Sequence, residues 1–265
     1  MATWEMPMPA AEPEFLPALD IPEPGSQRRW TVLLRMLLLL PQYIVLWVLS
    51  VIAFVVAVIG WFGALFTGRL PDFAAGFLRG YLEYDTRVYA YLMLTVDRYP
   101  PFSFEEPGHP VRVEVRPGPL NRLAVFFRLV LAVPAAIVQS VLSAGWWAVC
   151  FISWLVVLIL GRMPRPLFEA TAAVLRYRMR FQAYFLMLSS AYPKRIFGDP
   201  EKEQPFTSAT RPLVMSSSGK ALLVVFIVLG VAATVASSVT GSIDHDDDYD
   251  DNPTVRVTGP LVPGR

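Results

Sequence analysis

Laid against itself at an offset of 93 residues, without a gap, the chain repeats its least interchangeable residues. Pro24-Gly25 falls on Pro117-Gly118, Arg29 on Arg122, Arg35 on Arg128, Pro41 on Pro134 and Trp61 on Trp154. Further along, Gly68-Arg69-x-Pro71 falls on Gly161-Arg162-x-Pro164, Tyr84 on Tyr177, Arg87 on Arg180, Ala90-Tyr91 on Ala183-Tyr184 and Tyr99-Pro100 on Tyr192-Pro193. Shared leucines in apolar runs arise by coincidence, whereas Pro, Gly, Trp, Arg and Tyr at one offset do not. The fold must therefore build one supersecondary unit twice.

The unit is an apolar one. Hydrophobic residues make up 54% of the chain and charged residues 17%, against about 25% charged in a soluble domain, and the mean hydropathy is +0.45. The apolar residues gather in three blocks, near 30–66, 123–160 and 221–239, which indicates an integral membrane protein. From Met36 to Phe66 the first block would be about 46 Å long as one helix, against a hydrocarbon core of about 30 Å. Pro41 and Pro134 divide the first two blocks, so a helical hairpin in each is the favoured expectation. A half-inserted arm followed by one tilted span is the alternative. An even number of crossings puts both Gly-Arg-x-Pro edges on one side. The excess of Arg162, Arg165, Arg176, Arg178, Arg180, Lys194, Arg195, Lys202, Arg211 and Lys220 over nearby acids makes that side cytoplasmic. The third block, between Lys220 and the acidic run Asp244 to Asp251, reads as a conventional single span with its acidic tail outside.

After each Gly-Arg-x-Pro, residues step by four and three: Phe77, Tyr81, Tyr84, Val88, Tyr91 and Thr95 in one copy, Ala170, Val174, Tyr177, Phe181, Tyr184 and Leu188 in the other. That is one face of a helix. Arg79, Glu83, Arg87, Arg176 and Arg180 make it a poor span, so an amphipathic helix in the membrane interface is expected, with packing across the spans as the other reading. The fold expected is thus all-α: two tandem repeats of membrane hairpin plus interfacial helix, then one C-terminal transmembrane helix. The boundaries are a disordered Pro- and acid-rich tail at 1–28, units at 29–110 and 111–200, a cytoplasmic linker at 201–220, the span at 221–239 and an acidic tail at 240–265. The first tail has no basic residue before Arg28 and does not read as a cleaved signal peptide.

No catalytic constellation is present. The sequence lacks a paired-Cys pattern, a Gly-x-Ser-x-Gly elbow and a phosphate loop; Cys150 is its single cysteine, and His109 and His245 are its only histidines. The Asp cluster around His245 reads as a solvated tail rather than a metal site. No enzyme activity, cofactor, metal or nucleic-acid partner is expected. The residues singled out are arginines at repeated positions, Arg35, Arg69, Arg87, Arg128, Arg162 and Arg180, as candidates for lipid-headgroup contact or packing. Arg35 and Arg128, close to the expected interface, are read as snorkelling toward phosphates.

The run from Leu40-Pro41 through Trp61-Phe62-x-x-Leu65-Phe66-Thr67-Gly68-Arg69-x-Pro71, Phe77-Leu78-Arg79, Arg87-Val88-x-Ala90-Tyr91 and Asp97-Arg98-Tyr99-Pro100-Pro101-Phe102 resembles a bacterial membrane family catalogued only as a domain of unknown function. The resemblance covers about residues 19–195 and implies a polytopic inner-membrane protein carrying the unit twice, with no known reaction. The second copy departs from the pattern at Leu160 and at Lys194-Arg195. The leading functional expectation is a non-catalytic scaffold or accessory protein that binds membrane lipids or organises a membrane-protein complex, including one with its own copies. A small transporter or transporter subunit is the alternative, with Arg35, Gln42, Ser50, Arg128, Gln139 and Ser143 as its polar lining; a membrane-shaping hairpin protein is the third.

Overall fold

A computed structural model of the chain describes residues 15–199 and 208–247, with side chains as far as residue 238. The elements in order are β1 (Ala18–Asp20), α1 (Arg29–Leu33), α2 (Arg35–Thr67), α3 (Asp72–Leu92), β2 (Arg112–Glu114), α4 (Arg122–Phe126), α5 (Arg128–Leu160), α6 (Arg165–Phe185) and α7 (Ser217–Asp247). The fold is mostly helical, with the trio α1 to α3 repeated as α4 to α6. Three helices, α2, α5 and the 217–238 part of α7, are long and apolar enough to cross a membrane.

Two expectations need correction. The apolar blocks are not hairpins: α2 and α5 each run as one helix of 33 residues straight through Pro41 and Pro134. A proline inside a helix forfeits one hydrogen bond, whereas a hairpin turn in so apolar a run would strand several backbone groups. The cheaper defect prevails, and polar groups from a neighbouring loop attend it. The Tyr99 hydroxyl donates to the Leu38 carbonyl at 3.2 Å and Gln42 Nε2 to the Pro100 carbonyl at 2.7 Å. The 1–28 segment is also not wholly a tail, because from Phe15 onward it is folded. Strand β1 pairs antiparallel with β2, Leu19 opposite Val113, and Leu19 and Ile21 are buried. Residues 1–14 and 200–207, and the side chains of the acidic run with His245, lie outside the described residues.

Each Gly-Arg-x-Pro ends one helix and starts the next. Gly68 and Gly161 take left-handed φ of 76° and 69°, donating back to the Ala64 and Val157 carbonyls, a conformation that costs glycine nothing. Pro71 and Pro164 then stand at the N-caps of α3 and α6. Helix α3 folds back along α2, and α6 along α5.

The two copies interlock by exchanging equivalent contacts. Trp61 Nε1 donates to the Val125 carbonyl at 2.9 Å and Trp154 Nε1 to the Val32 carbonyl at 2.8 Å. The Leu120 amide donates to the Gly68 carbonyl at 2.8 Å and the Gln27 amide to the Gly161 carbonyl at 2.7 Å. Every atom in one member of each pair is 93 residues from its counterpart in the other. The start of α2 therefore lies with the end of α5, and the start of α5 with the end of α2. These are the first and second ends of the molecule, and the two copies run between them in opposite directions about an approximate twofold axis. At the middle, Asp85 of α3 meets Arg178 of α6, again 93 positions apart.

Around that axis the polarity is layered. Helix α6 is buried almost throughout, as is the C-terminal half of α3, so these are core helices whose Tyr84, Tyr91, Tyr177 and Tyr184 lie inside the protein rather than at its rim. Helix α2 buries only the stripe Arg35, Leu39, Gln42, Leu46, Ala53, Gly60 and Ala64 and exposes apolar side chains elsewhere, Trp47 and Phe54 among them. Residues 95–121 return along the whole length of α3. Asp97 binds Thr31 and the Arg28 amide at the first end; Arg87 holds the Ser103 and Phe104 carbonyls; Leu120 meets Gly68 at the second end. Residues 189–199 and 208–216 follow α6 in the opposite sense. They run from Ser189 at Arg128, past Lys194 at Arg180 and Asp199 at Arg176, to Ser216 at Glu169. Helix α7 starts there and packs on α5 and α6.

Candidate functional site

Four of the six singled-out arginines are buried and their hydrogen bonds are largely used within the protein. Arg35, 2% exposed, donates through Nη1 to the Tyr91 and Val96 carbonyls at 2.6 and 3.3 Å, and through Nη2 to Gln27 Oε1 and Asp97 Oδ1 at 3.1 and 3.2 Å. Arg128 repeats this against the Tyr184 and Ser189 carbonyls at 2.7 and 2.5 Å, and each guanidinium lies 4.2 Å from the ring of the tyrosine it binds. A cation beside the last carbonyls of a helix offsets its dipole. The pair thus staples the ends of α3 and α6 to the starts of α2 and α5, which corrects the snorkelling expectation: they point into the protein. Arg87 and Arg180 do the same for the returning loops, on the carbonyls of Ser103 and Phe104 and of Pro17 and Lys194. Burial, and then the neighbouring Arg176, lower Arg180 to about 9.

Arg69 and Arg162 differ. Both are exposed, and neither side chain has a hydrogen-bond or ion-pair partner among the described residues. The interlock gives each a companion from the other copy. Arg122 lies over Gly68 at the second end, and Arg29 at the first end donates to the Ile159 carbonyl at 3.2 Å, in the last turn of α5. Two basic corners result, one at each tip of the long apolar helices. At the first end an open cleft of about 1070 Å³ lies between residues 22–24, the α5–α6 turn and residues 208–214, with Arg162 and Arg165 in its lining.

The polar residues suggested as a transport lining do not converge. Arg35 and Gln42 belong to the first end and Arg128 to the second; Ser50 donates to its own helix at Trp47, and Gln139 to Ser143 one turn away. Among the described residues no three His, Cys, Asp or Glu side chains gather as metal ligands.

His109, 1% exposed, accepts the Val111 amide at Nδ1, while its Nε2 is buried without a partner. Burial first, and then the charge of Arg87, hold its pKa down to about 4. The unfolded chain, with an ordinary histidine near 6.5, binds the proton more readily. Stability from this group is therefore complete above about pH 6.5 and lost as the pH falls toward 4, about 3 kcal/mol in all. Melting in detergent between pH 7 and 4.5 should show this loss, and His109→Asn, which keeps an acceptor for Val111, should remove it. An unchanged slope in the variant would refute the assignment.

No curated protein and no solved structure matches the chain. A family model described as a domain of unknown function, DUF4389, matches residues 29–103 and again 122–196, two stretches at the same offset of 93. With both copies matched over more than half its length, the chain belongs to that family.

Proposed function

We propose that the protein is a non-catalytic membrane scaffold or accessory protein that binds anionic lipid at its two basic corners and so organises a patch of membrane or a partner held there. The observation that carries this is the pair Arg69 and Arg162: exposed cations without side-chain partners among the described residues, at the two tips of long helices whose exposed surface is mainly apolar. A basic side chain near an anionic surface contributes about 1 kcal/mol. The charge pattern of the second copy supports a bacterial inner membrane with the loops facing the cytoplasm. The purified protein should retain phosphatidylglycerol over phosphatidylcholine in native mass spectra, and Arg69→Gln with Arg162→Gln should lower that preference on the order of tenfold. No lipid preference in the parent protein would end this reading.

The opposite directions of the two copies favour a second reading, a transporter subunit, since inverted repeats frame transport paths. It requires α2 and α5 to cross the bilayer.

A further inference from the structure

We propose that the bundle beds in one leaflet of a bilayer, with α2 and α5 lying along the membrane plane and both ends of the molecule on the same side. Length and apolarity permit these helices to cross; their neighbours oppose it. At 1.5 Å per residue, α2 separates the first and second ends by about 50 Å. Residues 95–121 cover that distance alongside α3, and they carry Arg98, Glu105, Arg112 and Arg116 with exposed side chains. The second loop travels between the same ends with Lys194 and Arg195 exposed. If α2 stood across the membrane, both loops would have to cross the hydrocarbon beside it. Irregular backbone carrying charged side chains is not tolerated there in contact with lipid.

The distribution of charge agrees independently. Between residues 36 and 66, 129 and 160, and 221 and 238, the three apolar helices carry no Asp, Glu, Lys or Arg. Apart from the buried Arg35 and Arg128, the charges of the described residues lie at helix tips, on α3 and α6, or in the loops. Arg211 of the second loop pairs with Glu114 of the first, and Thr210 bonds Leu19 and Ile21 beside β2, so the charged loops adjoin one another along α3 and α6, and α2, α5 and α7 are taken as the apolar underside. An ordinary spanning protein would instead have a charged layer at each end of its long helices and none along their length. The occupant of the underside is the acyl region of one leaflet. This inference concerns orientation, and it does not depend on which headgroup the corners prefer.

Double-cysteine labelling of the full-length protein tests it. In a Cys150→Ser background, Arg69→Cys and Arg162→Cys place one thiol at each end. A second pair, Arg122→Cys with Lys220→Cys, repeats the measurement should the first fail to reconstitute. The protein is placed in sealed vesicles of phosphatidylethanolamine and phosphatidylglycerol, treated with a membrane-impermeant maleimide, and each molecule's labels are counted by intact mass. Detergent release should give two labels throughout, showing that both thiols are reachable. In vesicles, one-leaflet bedding gives molecules with two labels or none, according to which way they inserted. Molecules carrying one label each would overturn the proposal, show that the ends face opposite sides, and favour transport. That result would leave the lipid preference of the corners to its own assay.

Discussion

Replacing Asp85 with alanine is expected to destabilise the protein by about 3–5 kcal/mol, because it leaves a buried guanidinium without its counter-ion. Arg178 reaches Asp85 through Nη1 to Oδ2 at 2.5 Å and Nη2 to Oδ1 at 3.3 Å, and its remaining company is Gln182 Oε1 at 2.9 Å and the Tyr89 ring at 3.4 Å. Asp85 is 3% exposed, so water cannot replace it. This pair is the polar link between α3 and α6, and through them between the two copies. Its members occupy the same position of the repeat with opposite charge. In a symmetric duplicate like charges would face each other across the axis; the swap converts that repulsion into the closing contact. The double variant Asp85→Leu with Arg178→Met should recover most of the loss, since replacing both members of a buried pair is often near neutral. Thermal melts of the two singles and the double, in detergent, give the coupling directly. A cost below about 1 kcal/mol for Asp85→Ala would mean that the axis is held by apolar contact alone.

The second large effect is expected where α7 crosses α5. A Cβ on Gly145 would stand 1.7 Å from the Phe226 carbonyl oxygen, and one on Gly230 2.0 Å from the Val141 carbonyl oxygen. Both obstacles are backbone, so neither can rotate away. Gly145→Ala should cost at least the upper part of the usual overpacking range of about 1–3 kcal/mol, and Gly145→Leu should separate α7 from α5 altogether. Gly60→Ala is the internal comparison. There the close neighbour is Leu70 Cδ1 at 2.7 Å, the end of a flexible side chain, and the expected cost is below about 1 kcal/mol. Melting temperature and protease cleavage near Ser216 report both. Equal effects at Gly145 and Gly60 would show that the helices can part to admit a methyl group.

How far the sequence reveals these features depends on their range. The offset of 93 is legible because Pro, Gly, Trp, Arg and Tyr each serve one backbone or side-chain role. The structure repeats those roles pair by pair: Gly68 and Gly161 as helix caps, Trp61 and Trp154 as interlocking donors, Arg35 and Arg128 as staples. The stop and start at Gly-Arg-x-Pro are likewise local and legible. The hairpins are misread because a proline in an apolar run is ambiguous by itself. It signals a turn only if something else can satisfy the freed backbone, and the loop that attends Pro41 joins it from 58 residues further along. The Asp85–Arg178 pair is visible at the same offset, yet opposite charges at one repeat position gain meaning only once an axis passes between them.

Composition and spacing by themselves set a duplicated unit and three apolar blocks that read as parts of a membrane protein; that each of the first two blocks is one helix came from the structure. The repeat and the blocks follow from side-chain hydrophobicity and local backbone preference. Only the tertiary structure decided which arginines are spent and which are exposed, that the copies run in opposite directions, and that the charged loops lie along one face. These depend on where distant segments meet. A buried arginine and an exposed one read alike in a sequence until the carbonyls that hold the first are brought beside it.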